Sequence, residues 1–221
     1  ITTPEVNTTP GVVVTPVPTA ESRSVAVLVK QAQSQLNAMD WAGLYTTLSS
    51  IRDINPDYEP IQVDGMLYLA LRNRGISQIQ AGNLEPGLFS FAQAEQIAPL
   101  DENAESYRTW ARMYVYAGSK WAVDWASTVE NFASLYPLVP QLRDSSGITV
   151  TQRYSRALAG YGDYLQANAD YCGAADNYTQ AQSIYNDPNL PAKITQAQEY
   201  CANPPETPTP TADPNAPTPT P

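Results

Sequence analysis

The chain has 221 residues, 43% of them hydrophobic, and a net charge of −10. That is enough apolar material for one substantial core, or for an elongated domain whose core is shared between repeats. The absence of histidine removes the commonest general base, metal ligand and pH switch, and the twelve Lys and Arg form no run that would grip nucleic acid.

Residues 1–20 read ITTPEVNTTPGVVVTPVPTA and are expected to form an extended arm. Proline lacks an amide donor and restricts the residue before it, so Thr-Pro alternation opposes helix and favours a polyproline-II path. Inside this polar arm lies an apolar island, Val12, Val13 and Val14. The first residue is Ile1 rather than Met; one reading is a removed leader, the other a chain given from an internal position.

Residues 21–203 carry helical rather than strand periodicity. Val25, Leu28, Ala32, Leu36 and Met39 recur at helical spacing and mark a first apolar face. Leu84, Leu88, Phe91 and Ala94 mark another, stopped by Pro99; Tyr154, Leu158, Tyr161 and Leu165 mark a third. Breaks fall at Asp40, Asn55-Pro56, Gly82-Asn83, Ala98-Pro99, Gly118-Ser119, Tyr136-Pro137, Asn168-Ala169-Asp170 and Asp187-Pro188. They divide the segment into about eight helices and a short last one ending near Cys201. From Pro204 onward the chain is again Thr/Pro-rich, and 204–221 is expected to be a second arm. No apolar run approaches the ~20 residues of a membrane-spanning helix.

Paired helices invite a search for a period. Gly75, Gly87, Phe91, Ala94 and Pro99 occupy positions 8, 20, 24, 27 and 32 of a 34-residue frame. Gly162, Ala174, Tyr178 and Ala181 take the first four of these positions, with Pro188 two residues late. Ala32, Leu44, Leu48, Ile51 and Pro56 fit more loosely. In the third pair Trp110, Trp121, Trp125 and Phe132 are expected in the core, and no small-residue pair fits. Across residues 22–202 the chain resembles the tetratricopeptide repeat family. The resemblance implies an all-α fold: a right-handed solenoid of about four antiparallel helix pairs with a short C-terminal helix, flanked by the arms. It also implies a binding or assembly role, without cofactor or chemistry, and a concave groove lined by the first helix of each pair.

The first helices carry Arg72 and Arg74, Arg108 and Arg112, and Arg153 and Arg156. Arg72, Arg112 and Arg156 are the candidate groove residues, since guanidinium presents a fork of donors to carboxylates and carbonyls. The plainer reading is solvated arginine among acids. Asp53, Asn55, Asp57 and Asp64 stand at calcium-loop spacing, but Tyr58 and Pro56 oppose the required turn, and an ordinary turn is preferred. The four Trp and fourteen Tyr are read as core with polar tips rather than as a sugar-stacking surface.

Cys172 and Cys201 are expected to pair if the protein is exported, and to be buried thiols in a reducing compartment. Such a crosslink contributes about 3 kcal/mol. Asn7 and Asn177 begin sequons for N-glycosylation. Thr2, Thr3, Thr8, Thr9, Thr15 and Thr19 in one arm, with Thr207, Thr209, Thr211, Thr218 and Thr220 in the other, are O-glycosylation candidates. The alternative there is a bare linker. Catalytic signatures and metal-ligand sets are absent from the sequence. Two functional readings follow. One is a glycosylated extracellular or cell-surface subunit that polymerises head-to-tail with copies of itself, the arm of one lying in the groove of the next. The other is a monomeric exported adaptor that binds a partner peptide.

Overall fold

The computed structural model describes residues 20–205, with side chains from Ser24. Among these residues there are nine α-helices and no strand: α1 Ala20–Asn37, α2 Trp41–Ile54, α3 Pro60–Gln80, α4 Leu84–Ala94, α5 Glu102–Ser119, α6 Trp125–Leu135, α7 Val150–Ala167, α8 Tyr171–Ile184 and α9 Leu190–Ala202. The fold is all-α. The chain divides into two compact units, one of residues up to Arg74 together with Gln93–Pro99, the other of Gly75–Ala92 and residues from Leu100 onward.

The turns before α2, α6 and α8 share one device. A residue in the left-handed region closes the first helix, and an acidic N-cap opens the second. Met39 (φ 56°) precedes Asp40, whose carboxylate accepts from the Gly43 amide. Ala169 (φ 62°) precedes Asp170, which accepts from Gly173. Ala122 (φ 60°) stands two residues before Asp124, which accepts from Ser127. Each cap satisfies an amide that the helix itself leaves unpaired. Met39 therefore does not continue the apolar face of α1 as its spacing suggests. It sits in the turn, 70% exposed.

The first unit is built on Val25, Ala32, Leu44, Leu48, Ile51, Val63 and Ala70, all buried. The second holds a continuous core from Ile79, Leu84 and Phe91 through Ala111, Tyr114 and Phe132 to Leu158, Tyr178, Ala181 and Ala197. Its alanines leave space that the rings fill. In the third pair Phe132 is buried as expected, but Trp110, Trp121 and Trp125 are only half-buried. Indole is large and carries a polar N–H, so it settles at a core edge where one side meets packing and the other meets solvent.

Glycine sets how closely the helices approach. A Cβ at Gly75 would lie 2.6 Å from the Phe91 ring and 3.1 Å from the Gly87 carbonyl. A Cβ at Gly162 would lie 2.6 Å from the Tyr178 ring. In both, sixteen residues separate the glycine from the ring. Trp125 of α6 packs in the same way on Gly160 of α7. The small residue opposite the third pair's bulky ring thus comes from the next pair, which is why the third pair fits no internal small-residue pattern.

Helix α3 contains a control. Gly65 faces open space, with nothing within 4 Å of a built Cβ. Gly65→Ala should stabilise the protein by about 0.5–1 kcal/mol, the ordinary gain from alanine within a helix. Gly75→Ala should destabilise it by about 1–3 kcal/mol through overpacking against Phe91. Chemical denaturation followed by far-UV circular dichroism reads both; the opposite ordering would remove glycine as the packing constraint.

Candidate peptide-binding cleft

The candidate arginines fall in both units. Arg72 belongs to the first unit and donates to the Asn73 side chain at 2.8 Å. Arg112 on α5 and Arg156 on α7 are exposed in the second. The other arginines of the first helices are engaged. The Arg74 guanidinium lies 5.0 Å above the Tyr45 ring, Arg108 pairs with Glu105, and Arg153 pairs with Asp144.

The segment with calcium-loop spacing is organised by a guanidinium instead. Arg52 bonds the Asp64 carboxylate at 2.6 Å and donates to the carbonyls of Pro56, Tyr58 and Pro60 at 2.8, 2.9 and 3.2 Å. Of the four residues at that spacing, Asp64 is held by Arg52, and the remaining forked donors go to backbone carbonyls.

Cys172, in the first turn of α8, and Cys201, in the last turn of α9, lie at disulfide distance, with Cα atoms 4.8 Å apart. Asn177 is half-buried within α8, and its amide donates to the Gly173 carbonyl at 2.9 Å. Thr179, the third residue of that sequon, donates to the Ala175 carbonyl. The other glycosylation candidates, Asn7 and the eleven threonines, and the Val12–Val14 island lie outside the described residues.

An apolar concavity lies in the second unit. A cleft of about 290 Å³ is lined by Gln80 at the end of α3, Tyr107 and Trp110 on α5, and Val139, Pro140, Gln141 and Leu142 in the loop after α6. Tyr107 and Trp110, one helical turn apart, meet edge to face with centroids 5.2 Å apart. Gln80 donates to the Tyr107 hydroxyl at 2.7 Å, which fixes that ring and leaves the hydroxyl proton to donate elsewhere.

The loop wall is fastened to the start of α7. The Pro140 carbonyl accepts from both the amide and the hydroxyl of Thr151, at 3.1 and 3.0 Å, and Val150 donates to the Leu142 carbonyl. Thr149 and Gln152 form a capping box there. Beyond the wall a clasp closes the loop. Asp144 pairs with Arg153 at 2.7 Å, and Tyr114, buried on α5, donates to the Ile148 carbonyl at 2.7 Å. Arg153 also donates to the Tyr114 hydroxyl at 3.3 Å and stacks 5.2 Å from the Trp121 centroid. Gly82 completes the fit. Its φ of 92° is the left-handed region, and a Cβ there would lie 2.6 Å from the Asp144 carbonyl oxygen.

Burial pushes the Asp144 carboxyl upward, but hydrogen bonds from Ser146, Arg153 and Tyr114 outweigh it and bring it down to about 2. Burial pushes the Tyr114 hydroxyl up to about 12, so it stays protonated and remains a donor. Sequence reasoning marks Arg153 only as one of several first-helix arginines. The turn at Asp144–Gly147 carries a readable signal, an Asx-type turn before a glycine, but its partner Tyr114 is thirty residues away.

A second concavity, of about 390 Å³, is lined by Ala122–Ala126 with Tyr161 and Tyr164 of α7. The two tyrosine rings stack 6.1 Å apart. Comparison of the chain with known protein families, with characterised proteins and with solved structures finds no match.

Asp144→Asn should lower stability at neutral pH by about 2 kcal/mol, between the worth of an exposed pair and that of a fully buried one. Because the folded-state pKa of Asp144 is depressed, its contribution is complete above the unfolded value of 3.8 and fades as pH falls towards 2. Urea unfolding from pH 7 to pH 2 should therefore show the difference between the two proteins shrinking below pH 4; a pH-independent difference would dismiss the charge of Asp144 as its source.

Proposed function

We propose that this protein is a non-enzymatic, exported, tetratricopeptide-like subunit that assembles head-to-tail with copies of itself by laying an extended arm on the helical repeats of its neighbour. The observation that carries this reading is the pairing of an aromatic, prefastened cleft on α5 with a chain whose own arms are proline-rich. Aromatic-lined grooves receive polyproline-II segments because such segments lose little conformational entropy on docking. Helix α5 is the first helix of its pair, the helix that the family resemblance assigns to the groove.

The repeat character is supported by the two glycine–ring contacts at equal spacing, Gly75 with Phe91 and Gly162 with Tyr178. Export is supported by the Cys172–Cys201 pair, whose geometry suits an oxidising compartment. Thr/Pro arms of this composition suit O-glycan attachment outside the cell. A contact between an arm and a distinct surface of another copy is heterologous, and its repetition gives an open filament rather than a closed dimer.

Deleting residues 1–19 leaves every described helix in place and should yield a fully helical monomer. Negative-stain electron microscopy of the intact protein from its native source should show fibres, and the deleted protein should show none. Fibres that persist after the deletion would end the arm mechanism. Dispersed particles from the intact protein would point to a monomeric adaptor for a partner peptide.

A further inference from the structure

Three features of the described residues have the form of a site. The Trp125–Tyr161–Tyr164 concavity offers ring faces, but its carboxylate, Asp124, is committed to capping α6 through Ser127. The open concavity beside Tyr45 and Arg52 in the first unit is bordered by a guanidinium already given to Asp64 and three carbonyls. The cleft at Tyr107 and Trp110 combines an apolar wall with residues that carry uncommitted donors.

We propose that this cleft is the docking site for residues 12–18 of the N-terminal arm of a second copy. The inference rests on the assembly reading above and assigns the site and the segment. A polyproline-II path has three residues per turn, so residues three apart share a face. Along Val12-Val13-Val14-Thr15-Pro16-Val17-Pro18, one face carries Val13 and Pro16 and the next carries Val14 and Val17. Two adjoining faces are wholly apolar, and only the third contains Thr15. No seven-residue stretch of the C-terminal arm, sorted in the same way, has two such faces. The N-terminal arm alone presents a continuous apolar edge.

The cleft matches that edge in shape and in polarity. Its apolar wall is Val139, Pro140 and Leu142, and its other side is the Tyr107–Trp110 pair. At about 290 Å³ it lies at the small end of ligand pockets, with room for roughly two or three side chains. A proline-containing segment is short of amide donors and rich in carbonyl acceptors. Two residues that line the cleft carry donors: Tyr107, whose hydroxyl oxygen already accepts from Gln80, and Trp110, whose indole N–H can only donate. The wall is fixed before binding by Thr151 and Val150, so little ordering accompanies docking.

The test titrates the full-length chain with a fluorophore-labelled synthetic peptide of residues 9–20 and reads anisotropy. Saturable binding is expected, displaced by unlabelled peptide. Val13→Asn with Val17→Asn in the peptide should weaken it about tenfold or more, whereas Val12→Asn, on the third face, should change it by less than about twofold. These changes leave the protein untouched, so misfolding cannot imitate them. In the protein, Tyr107→Phe should weaken binding severalfold at unchanged helix content, and Trp110→Ala should weaken it further. Absence of binding, indifference to Val13 and Val17, indifference to Tyr107 and Trp110, or tighter binding of a peptide of residues 206–221 would each overturn the assignment. Sedimentation of the intact chain separates the two ideas. Binding at Trp110 by a chain that stays monomeric keeps the cleft and ends the assembly reading. Polymerisation without peptide binding at Trp110 does the reverse.

Discussion

Two helices can lie close together only where one of them gives up its side chain, and this chain arranges that repeatedly. Glycine at 75 and 162 receives the ring of Phe91 or Tyr178 from the second helix of the same pair, and Gly160 receives Trp125 from the helix before. A ring laid on a bare backbone buries a large area without a void, at the density that protein interiors require. The alanines that dominate the second core, among them Ala111, Ala157, Ala174 and Ala181, extend the same economy along the seams. Glycine weakens a helix locally, and the ring contact it admits works against that cost.

Close packing of helices leaves the longer connections as the places where a site can form. The segment after α6 is the longest break between helices among the described residues, and it is not loose. It is fastened at Pro140 and Leu142 to the start of α7, and at Asp144 to Arg153 and Tyr114. Each bond removes freedom from a wall of the Tyr107–Trp110 cleft. The ionic part of the clasp is half-sheltered, with side chains 21% and 23% exposed, so water screens it only in part. A depressed Asp144 and a raised Tyr114 are two consequences of that one environment. Neither points to proton transfer; both keep a carboxylate ionised and a phenol neutral so that the hydrogen bonds persist.

The same physical logic accounts for Arg52. A turn rich in carboxylate and carbonyl oxygen needs a positive centre, and a neighbouring guanidinium supplies it from within the chain. The arginines split accordingly. Arg52, Arg74 and Arg153 hold the structure together, while Arg112 and Arg156 are exposed on first helices.

The helices and their breaks are legible in the sequence alone. Apolar spacing, Asp40 and Asp170 as caps, and Pro99 as a terminator are local features, and local hydrogen bonding decides helix ends. The glycine–ring registers are legible there too, because they recur within one helix pair. Contacts between residues far apart in the chain are visible only in the folded protein. Trp125 against Gly160, Tyr114 against Asp144, and Tyr107 beside Pro140 have no periodicity to betray them. The half-buried tryptophans belong to this class, since helical spacing marks an apolar face but not how far a neighbour covers it. Met39 departs from its spacing for a local reason: its side chain continues the apolar pattern, but a backbone at φ 56° has already left the helix.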